Sequence, residues 1–142
     1  MLTQAPHCTE DDVLKIEGTI AGAAIDDVRT TNVNAAQENL GDGKFYTPFS
    51  SLAPLASNQL ALTFTWPHSL FNGQTSAIGS GTLTLPATHP EAGAMYCVSA
   101  GQVGFVDGGS EDFALKFVIS QVKAGADCSG PPIAVDLRGC YK

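Results

Sequence analysis

A ten-residue segment near the C-terminal end of the chain places the tightest limit on its fold. Over residues 113–122 the large apolar side chains of Phe113, Leu115, Phe117 and Ile119 alternate with smaller or more polar ones. A period of two puts those four side chains on one face of an extended strand, and aromatic and β-branched residues suit a half-buried sheet. The segment is therefore predicted to be a central β-strand.

A second alternating segment supplies large side chains for a facing surface. Residues 60–66 place Leu62, Phe64 and Trp66 on one side, and Pro67 ends the strand. Further strands are predicted at residues 13–20, 25–33, 79–85, 95–106 and 133–137. Many short strands joined by Gly, Pro and Asn turns predict an all-β fold, either a two-sheet antiparallel β-sandwich or, alternatively, a closed β-barrel. The predicted core is Leu62, Phe64, Trp66, Phe113, Leu115, Phe117 and Ile119.

The sequence leaves room for at most one short helix and for a single domain. Only residues 34–40, Asn-Ala-Ala-Gln-Glu-Asn-Leu, have a helix-forming composition, and seven residues are few for a stable helix. The 142-residue chain fits one β-sandwich domain over residues 13–142. Residues 1–12 are polar and are interpreted as an N-terminal arm.

The charge of the chain excludes one class of partner. Seven Lys and Arg against fourteen Asp and Glu give a net charge of −7, and the basic residues are scattered singly. Such an acidic surface repels phosphate backbones, so nucleic acid is not an expected partner. No apolar run approaches the length of about 18 residues that a membrane-spanning helix needs, so no transmembrane segment is predicted.

Four cysteines, Cys8, Cys97, Cys128 and Cys140, indicate the compartment. Because they form no C-x-x-C pair and no spacing suited to zinc, two disulfide bonds are predicted. Disulfides persist in oxidising surroundings, which predicts a secreted protein that is extracellular, periplasmic or on the cell surface. The residues after Met1 lack the features of a signal peptide, so the chain is interpreted as a mature fragment. The lack of an N-glycosylation sequon favours a bacterial source or an unglycosylated protein.

The predicted strand order also indicates which cysteines pair. If the strands on either side of the glycine turn near residue 108 form a hairpin, Cys97 lies at the end from which the chain leaves towards Cys128. If the last strand then returns antiparallel, it carries Cys140 to the opposite end of the hairpin. Cys128 and Cys140 would then lie farther apart than the ~7 Å Cα separation that a disulfide can span. The prediction is Cys97–Cys128 with Cys8–Cys140. The alternative is Cys8–Cys97 with Cys128–Cys140.

Carboxylates crowd the turn before the central strand. Asp107, Glu111 and Asp112 offer oxygen ligands of the kind that calcium takes. Their spacing departs from the D-x-[DN]-x-[DN]-G calcium loop, so the turn is interpreted as a solvated hairpin tip and the three residues remain metal candidates only. No bound metal and no cofactor is predicted.

No catalytic motif is present in the sequence. His7, His68 and His89 stand alone in loops and are interpreted as surface residues. Ser80, within Ile-Gly-Ser-Gly-Thr, resembles a nucleophile elbow but does not match G-x-S-x-G. The chain is therefore predicted not to be an enzyme, and a small extracellular hydrolase is kept as an alternative.

Four aromatic residues outside the two core rows are candidate binding residues: Tyr46, Phe49, Phe71 and, at the C-terminal end, Tyr141. Such rings stack on sugars, insert into a partner protein, or close the ends of a sandwich. The leading hypothesis is a non-catalytic secreted or cell-envelope protein, either a structural or assembly subunit or a protein-binding module. Its expected partner is another protein or a second copy of the chain. The alternative from a different class is a carbohydrate-binding module, with calcium as an optional stabiliser.

Overall fold

The computed structural model of the chain is all-β. It describes residues 5–30, 33–37, 43–47, 57–67, 70–71, 73–111, 113–125 and 127–142. The strands are β1 (Leu14–Ile20), β2 (Ala23–Arg29), β3 (Asn34–Gln37), β4 (Gly43–Tyr46), β5 (Ala61–Trp66), β6 (Thr75–Ala77), β7 (Gly81–Thr84), β8 (Met95–Phe105), β9 (Leu115–Ala124) and β10 (Pro132–Tyr141). A single 3-10 turn at Gly109–Glu111 is the only helical element in these residues, and no helix among them is long and apolar enough to cross a membrane.

All ten strands belong to one antiparallel sheet. Nine of them follow the order β2-β1-β10-β9-β8-β7-β5-β4-β3, and β6 pairs with β8. The long strands β8 and β9 pair at its centre, with register shifts near Ala100. The all-β class is thus confirmed. The two sheets of the predicted sandwich are not confirmed, because the hydrogen-bonded order runs unbroken from β2 to β3.

The sheet is strongly curled, so that its two halves face each other across the core. The ring centroid of Phe117 on β9 lies 5.0 Å from that of Phe64 on β5 and 5.3 Å from that of Phe45 on β4. These strands are not neighbours, since β8 and β7 lie between β9 and β5 in the sheet. Opposed rows from one curled sheet therefore supply the packing that was expected from the inner faces of two sheets.

Two glycines let large rings lie across the neighbouring strand. A Cβ atom added to Gly139 would lie 2.0 Å from the ring of Phe117, its register partner on β9. A Cβ atom added to Gly43 would lie 1.7 Å from the indole of Trp66, its partner on β5. Both rings are buried, so the absent side chains are part of how the curled sheet fills its interior.

Six of the seven predicted core residues are buried, and Phe113 is not. Leu62, Phe64, Trp66, Leu115, Phe117 and Ile119 are almost completely inaccessible. The prediction for Phe113 is wrong, since its side chain is 70% exposed. The chain is still turning at this residue, with a φ of 69°, and β9 begins only at Leu115. A left-handed backbone breaks the alternation and turns the ring away from the row formed by Leu115 and Phe117.

The segment that was allowed to be helical begins as a strand. Residues Asn34–Gln37 form β3, and residues 38–40 lie outside the described part of the chain. β3 pairs with β4 from Asn34 opposite Tyr46 to Gln37 opposite Gly43. The short helix that the composition of residues 34–40 allows is therefore not formed over residues 34–37, because pairing with a neighbouring strand provides hydrogen bonds that a single helical turn cannot.

The two disulfide bonds pair as predicted. Cys97 bonds Cys128 and Cys8 bonds Cys140, with Cα atoms 5.3 and 5.9 Å apart. The second bond fastens the residues before β1 to the outer face of the sheet, where Cys8, Cys140 and Ala114 form a small buried cluster. This cover makes the start of β9 buried on both faces.

Candidate functional site

A pocket opens on the outer face of the sheet where β8 ends and the chain turns towards β9. Its volume is about 310 Å³, and its lining includes Gly104, Val106, Asp107, Glu111 and Lys116. Lys116 lies directly opposite Gly104 in the register of β9 and β8. Because Gly104 has no side chain, space is left beside the lysine. The sequence thus places charged groups at the base of a surface depression.

Glu111 is the centre of the hydrogen bonding at this pocket. Its Oε2 accepts a hydrogen bond from Lys116 Nζ at 3.1 Å, and its Oε1 accepts one from the backbone N–H of Cys8 at 2.9 Å. The Nδ1 atom of His7 also lies 3.0 Å from Oε1. Burial raises the pKa of the Glu111 carboxyl, but the hydrogen bonds from Lys116, Cys8 and His7 outweigh it and hold the pKa below its usual value. The carboxylate therefore ties the N-terminal residues to the β8–β9 connection.

Lys116 is an unusual residue for the middle of a sheet. It is only 7% exposed, and its ammonium group pairs with Glu111. Alternation along β9 predicts a solvent-facing lysine, but the residues fastened by the Cys8–Cys140 bond cover this face of the strand. A buried ammonium group is tolerated because Glu111 compensates its charge.

Two exposed aromatic rings flank the end of β8 beside the pocket. Phe113 is 70% exposed and Phe71 is 65% exposed. The backbone N–H of Phe113 donates to Val106 at 3.2 Å on one side of β8. On the other side, the N–H of Gly73 donates to Phe105 at 2.8 Å, which places the loop that carries Phe71. The two rings therefore emerge from segments that border β8 on opposite edges.

The backbone at Phe113 is strained. A φ of 69° is rare for a bulky residue, and such conformations cost about 1–3 kcal/mol. Two backbone hydrogen bonds hold the turn in place. The Phe113 N–H donates to the carbonyl oxygen of Val106, and the Ala114 N–H donates to the carbonyl oxygen of Glu111 at 2.8 Å. Strain of this kind concentrates at binding and catalytic sites, where the rest of the structure maintains it.

The metal candidates are only partly brought together. Asp107 and Glu111 line the same pocket, whereas Asp112 lies outside the described residues. Lys116 Nζ occupies the position beside Glu111 that a cation would need. No group of three His, Cys, Asp or Glu side chains in the described part of the chain is arranged to hold a metal ion.

A histidine and a carboxylate do meet beside the pocket, as the hydrolase alternative requires. The His7 side chain is 83% exposed and bonds Glu111. Among the described residues no serine, threonine or cysteine bonds the ring of His7, and the hydroxyl of Ser80 instead lies 3.1 Å from that of Thr65. In the part of the chain that the structure describes, the pair therefore has no bonded hydroxyl or thiol that it could activate as a nucleophile.

The interpretation of His89 as a surface residue is wrong. It is 6% exposed, with Nε2 lying 3.0 Å from the carbonyl oxygen of Ile20. Its Nδ1 accepts a hydrogen bond from the backbone N–H of Glu91 at 3.0 Å. Both ring nitrogens thus join the loop after β7 to the end of β1. The prolines near His89 in the sequence do not predict this role. His68 lies outside the described residues.

The candidate binding aromatics lie in different places. Phe71 is exposed in the loop that contributes Gly73 to the pocket, and Tyr46 is half-buried on the outer face of β4. Tyr141 is half-buried at the end of β10 and packs against the core, and Phe49 lies outside the described residues. Phe113 was missed because its alternation with Leu115 favours the core. The sequence signal for its exposure is the Gly108-Gly109 turn. This turn continues to residue 113, although the alternating pattern of β9 already begins there.

Comparison of the chain with protein-family models, with curated proteins and with solved structures finds no match in any of the three. The chemistry of the pocket and of the surrounding surface is therefore the basis for assigning a function.

Proposed function

We propose that this chain is a non-catalytic protein-binding module of an oxidising, extracytoplasmic compartment, and that it binds its partner with the surface around Phe71 and Phe113. The observation that carries this proposal is the strained and exposed Phe113. Its ring contributes little to the fold in this position, while its backbone conformation costs stability. A partner protein that covers the ring recovers the free energy of burying an aromatic side chain.

The surroundings of the two rings have the composition of a protein interface. Aromatic residues are enriched in interfaces and supply much of their binding energy when a partner buries them. The loop that carries Phe71 contributes Gly73 to the pocket, and the turn that carries Phe113 contributes Glu111, which pairs with Lys116. Apolar anchors beside fixed charges give a partner both affinity and a defined orientation.

A role outside the cytoplasm is supported by the two disulfide bonds, because thiols are kept reduced in most cytoplasms. The net charge of −7 favours a partner with a basic or neutral surface over nucleic acid. A structural or assembly role is included in this proposal, since the partner can be a second copy of the chain.

Site-specific photocrosslinking in the source organism tests the proposal. A photoreactive phenylalanine analogue is placed at position 71, 113 or 28 in three separate variants. Position 28 is the matched control because Val28 is also an exposed apolar residue, 55% accessible, but lies on the edge strand β2. We expect crosslinked protein products from positions 71 and 113 and not from position 28.

The products distinguish the two forms of the proposal. A product of twice the chain mass identifies self-assembly, and a product of another mass identifies a different partner protein. Folded chains that give no product at positions 71 and 113, or the same products at all three positions, would contradict a partner-binding surface at this end of β8.

A further inference from the structure

A shallow groove crosses the outer face of β5, β7 and β8 at the end of β8 that is remote from the pocket. Its volume is about 520 Å³, and its lining includes hydroxyl groups from Thr63, Thr65, Ser80, Thr82 and Ser99. Gly79 contributes no side chain, and a Cβ atom there would lie 3.2 Å from the Thr65 hydroxyl. At Gly79 the groove is therefore lined by backbone, with hydroxyl groups beside it.

The strand register aligns two of these side chains, Thr63 and Thr82, in a row across the sheet with Tyr46 and Asn34. Asn34 lies opposite Tyr46, Tyr46 opposite Thr63, and Thr63 opposite Thr82. Neighbouring strands are about 4.8 Å apart, so the row offers a polar or aromatic group at each such step. This interval is similar to the length of one pyranose ring.

Tyr46 gives the row an aromatic member. It is half-buried on the outer face, its hydroxyl accepts a hydrogen bond from Asn34 Nδ2 at 3.0 Å, and the Lys44 ammonium group lies 5.1 Å from its ring centroid. Lys44 also lines the groove. A ring held in place at the edge of a hydroxyl-rich groove is suited to pack against the apolar face of a sugar.

The charges of the groove disfavour other ligands. Lys44 stands on β4 at one side, and Asp127 stands at the other beside the Cys97–Cys128 bond. Hydrogen bonds from the side chain and backbone of Ser129 hold the pKa of Asp127 below its usual value. One cation and one anion leave the groove without net charge, so a phosphate-bearing ligand is not favoured. An apolar peptide would find few apolar side chains among these hydroxyl groups.

We infer that this groove binds an oligosaccharide, with Tyr46 packing on a sugar ring and the hydroxyls of Thr63, Thr65, Ser80 and Thr82 bonding sugar hydroxyls. Threonine and serine hydroxyls both donate and accept, which matches the mixed requirements of a sugar. Lys44 and Asp127 add stronger, charge-assisted hydrogen bonds at the two sides of the groove. The groove and the pocket lie towards opposite ends of β8, so each is tested by its own variants.

The test begins with an array of immobilised neutral and acidic oligosaccharides, followed by calorimetric titration of the best-retained oligosaccharide. Thr63→Val combined with Thr82→Val removes two hydroxyls with little change of shape. Tyr46→Ala removes the ring, and Tyr46→Phe retains it. Thr19→Val on the outer face of β1 is the matched control, because Thr19 is also an exposed strand threonine.

We expect the double valine variant and Tyr46→Ala each to bind about tenfold more weakly, since each loses hydrogen bonds or ring contacts with the sugar. Tyr46→Phe, Thr19→Val and the pair Phe71→Ser with Phe113→Ser should keep affinities close to that of the wild type. Circular dichroism melting checks that every variant is folded. If the double variant does not fold, Tyr46→Ala and Lys44→Met carry the test.

Two results would overturn the inference. One is a folded wild-type chain that retains no oligosaccharide on the array. The other is an oligosaccharide affinity that all groove variants leave unchanged. Neither result bears on the protein-binding surface, because crosslinking at positions 71 and 113 measures that surface separately.

Discussion

Asp27 and Glu111 make similar bonds in two very different places. Asp27 accepts hydrogen bonds from the guanidinium of Arg29 and, at 3.0 Å, from the backbone N–H of Leu60. Glu111 likewise pairs with Lys116 and accepts the backbone N–H of Cys8. Each carboxylate thus joins a basic side chain and a distant backbone segment. The difference is solvent access, since both side chains of the Asp27–Arg29 pair are completely buried while Glu111 lines an open pocket.

The enclosed pair, Asp27 and Arg29, fits a structural role. Arg29 Nη2 also donates to the carbonyl oxygen of Leu60 at 2.7 Å, so the pair holds β2 against the segment that enters β5. These strands are remote in the sheet order and meet because the sheet curls. The open pair, Glu111 and Lys116, lies instead beside the turn that carries Phe113, whose side chain is exposed and whose backbone is strained. The same chemistry thus occurs once at an enclosed position and once at a pocket that solvent reaches, and the proposed function assigns the second to the partner-binding surface.

The largest expected effect is on the enclosed pair. Arg29→Leu leaves the buried Asp27 carboxylate without its counter-charge, which should cost about 3–5 kcal/mol of unfolding free energy. Urea unfolding followed by tryptophan fluorescence measures the loss. Asp136→Asn is the control, because Asp136 pairs with Arg138 near solvent and should cost less than about 1 kcal/mol. Equal losses in the two variants would show that the Asp27–Arg29 pair does not hold the curled sheet together.

A smaller effect is expected at the open pair. Lys116→Met removes one of three donors to Glu111, and the carboxylate keeps Cys8 and some contact with water. We expect a loss of about 1–2 kcal/mol in the same urea experiment. Lys123→Met on the same strand, where no ion pair is formed within the described residues, should change stability by less than about 0.5 kcal/mol. A loss at Lys116 as large as that of Arg29→Leu would remove the distinction between the two pairs.

At Phe113 a substitution should increase stability. Phe113→Gly allows the φ of 69° without strain and removes no buried contact, so a gain of up to about 1 kcal/mol is expected. Thermal melting measures it, with Phe71→Gly as the control for loss of an exposed ring. A clear loss of stability in Phe113→Gly would mean that the ring supports the fold and is not held for a partner.

The smallest expected effect is on the pH dependence. The pKa of Glu111 is lower in the folded chain than its ordinary value, so the folded state binds fewer protons than the unfolded state as the pH falls. Its stabilising contribution is present above the ordinary pKa of about 4.3 and is lost as the pH drops through the folded value. Urea midpoints measured from about pH 6 to pH 3 should fall less steeply in Glu111→Gln than in the wild type. Parallel curves would show that Glu111 is not stabilised by its three donors.

Much of the scaffold was predictable from the sequence. Alternation located β1, β5, β8 and β9 to within a few residues, and the hairpin geometry of the strands around residue 108 gave the disulfide pairs. The number of sheets was not predictable, because rows such as that of Phe64 and that of Phe117 look the same whether they face each other from two sheets or from one curled sheet.

The candidate site was less predictable. Its parts come from the N-terminal residues, the loop that carries Phe71, and the connection between β8 and β9. The burial of Lys116 requires the cover fastened by Cys8, and the exposure of Phe113 requires a backbone dihedral that a polarity pattern does not encode. Sequence reasoning did place Glu111 and Asp107 together, but as candidate metal ligands.

The central proposal is that Phe71 and Phe113 form the partner-binding surface. Its most direct test compares the affinity of the crosslinked partner for the wild type with that for a double variant, Phe71→Ser with Phe113→Gly. Calorimetry measures this affinity if the partner is a different protein, and sedimentation equilibrium measures it if the partner is a second copy of the chain. If the two rings are interface anchors, as we propose, binding should be at least about 100-fold weaker. The melting temperature should be unchanged or higher, because both side chains are exposed in the folded chain. An unchanged affinity in a folded double variant would contradict the claim that these two rings form the binding surface.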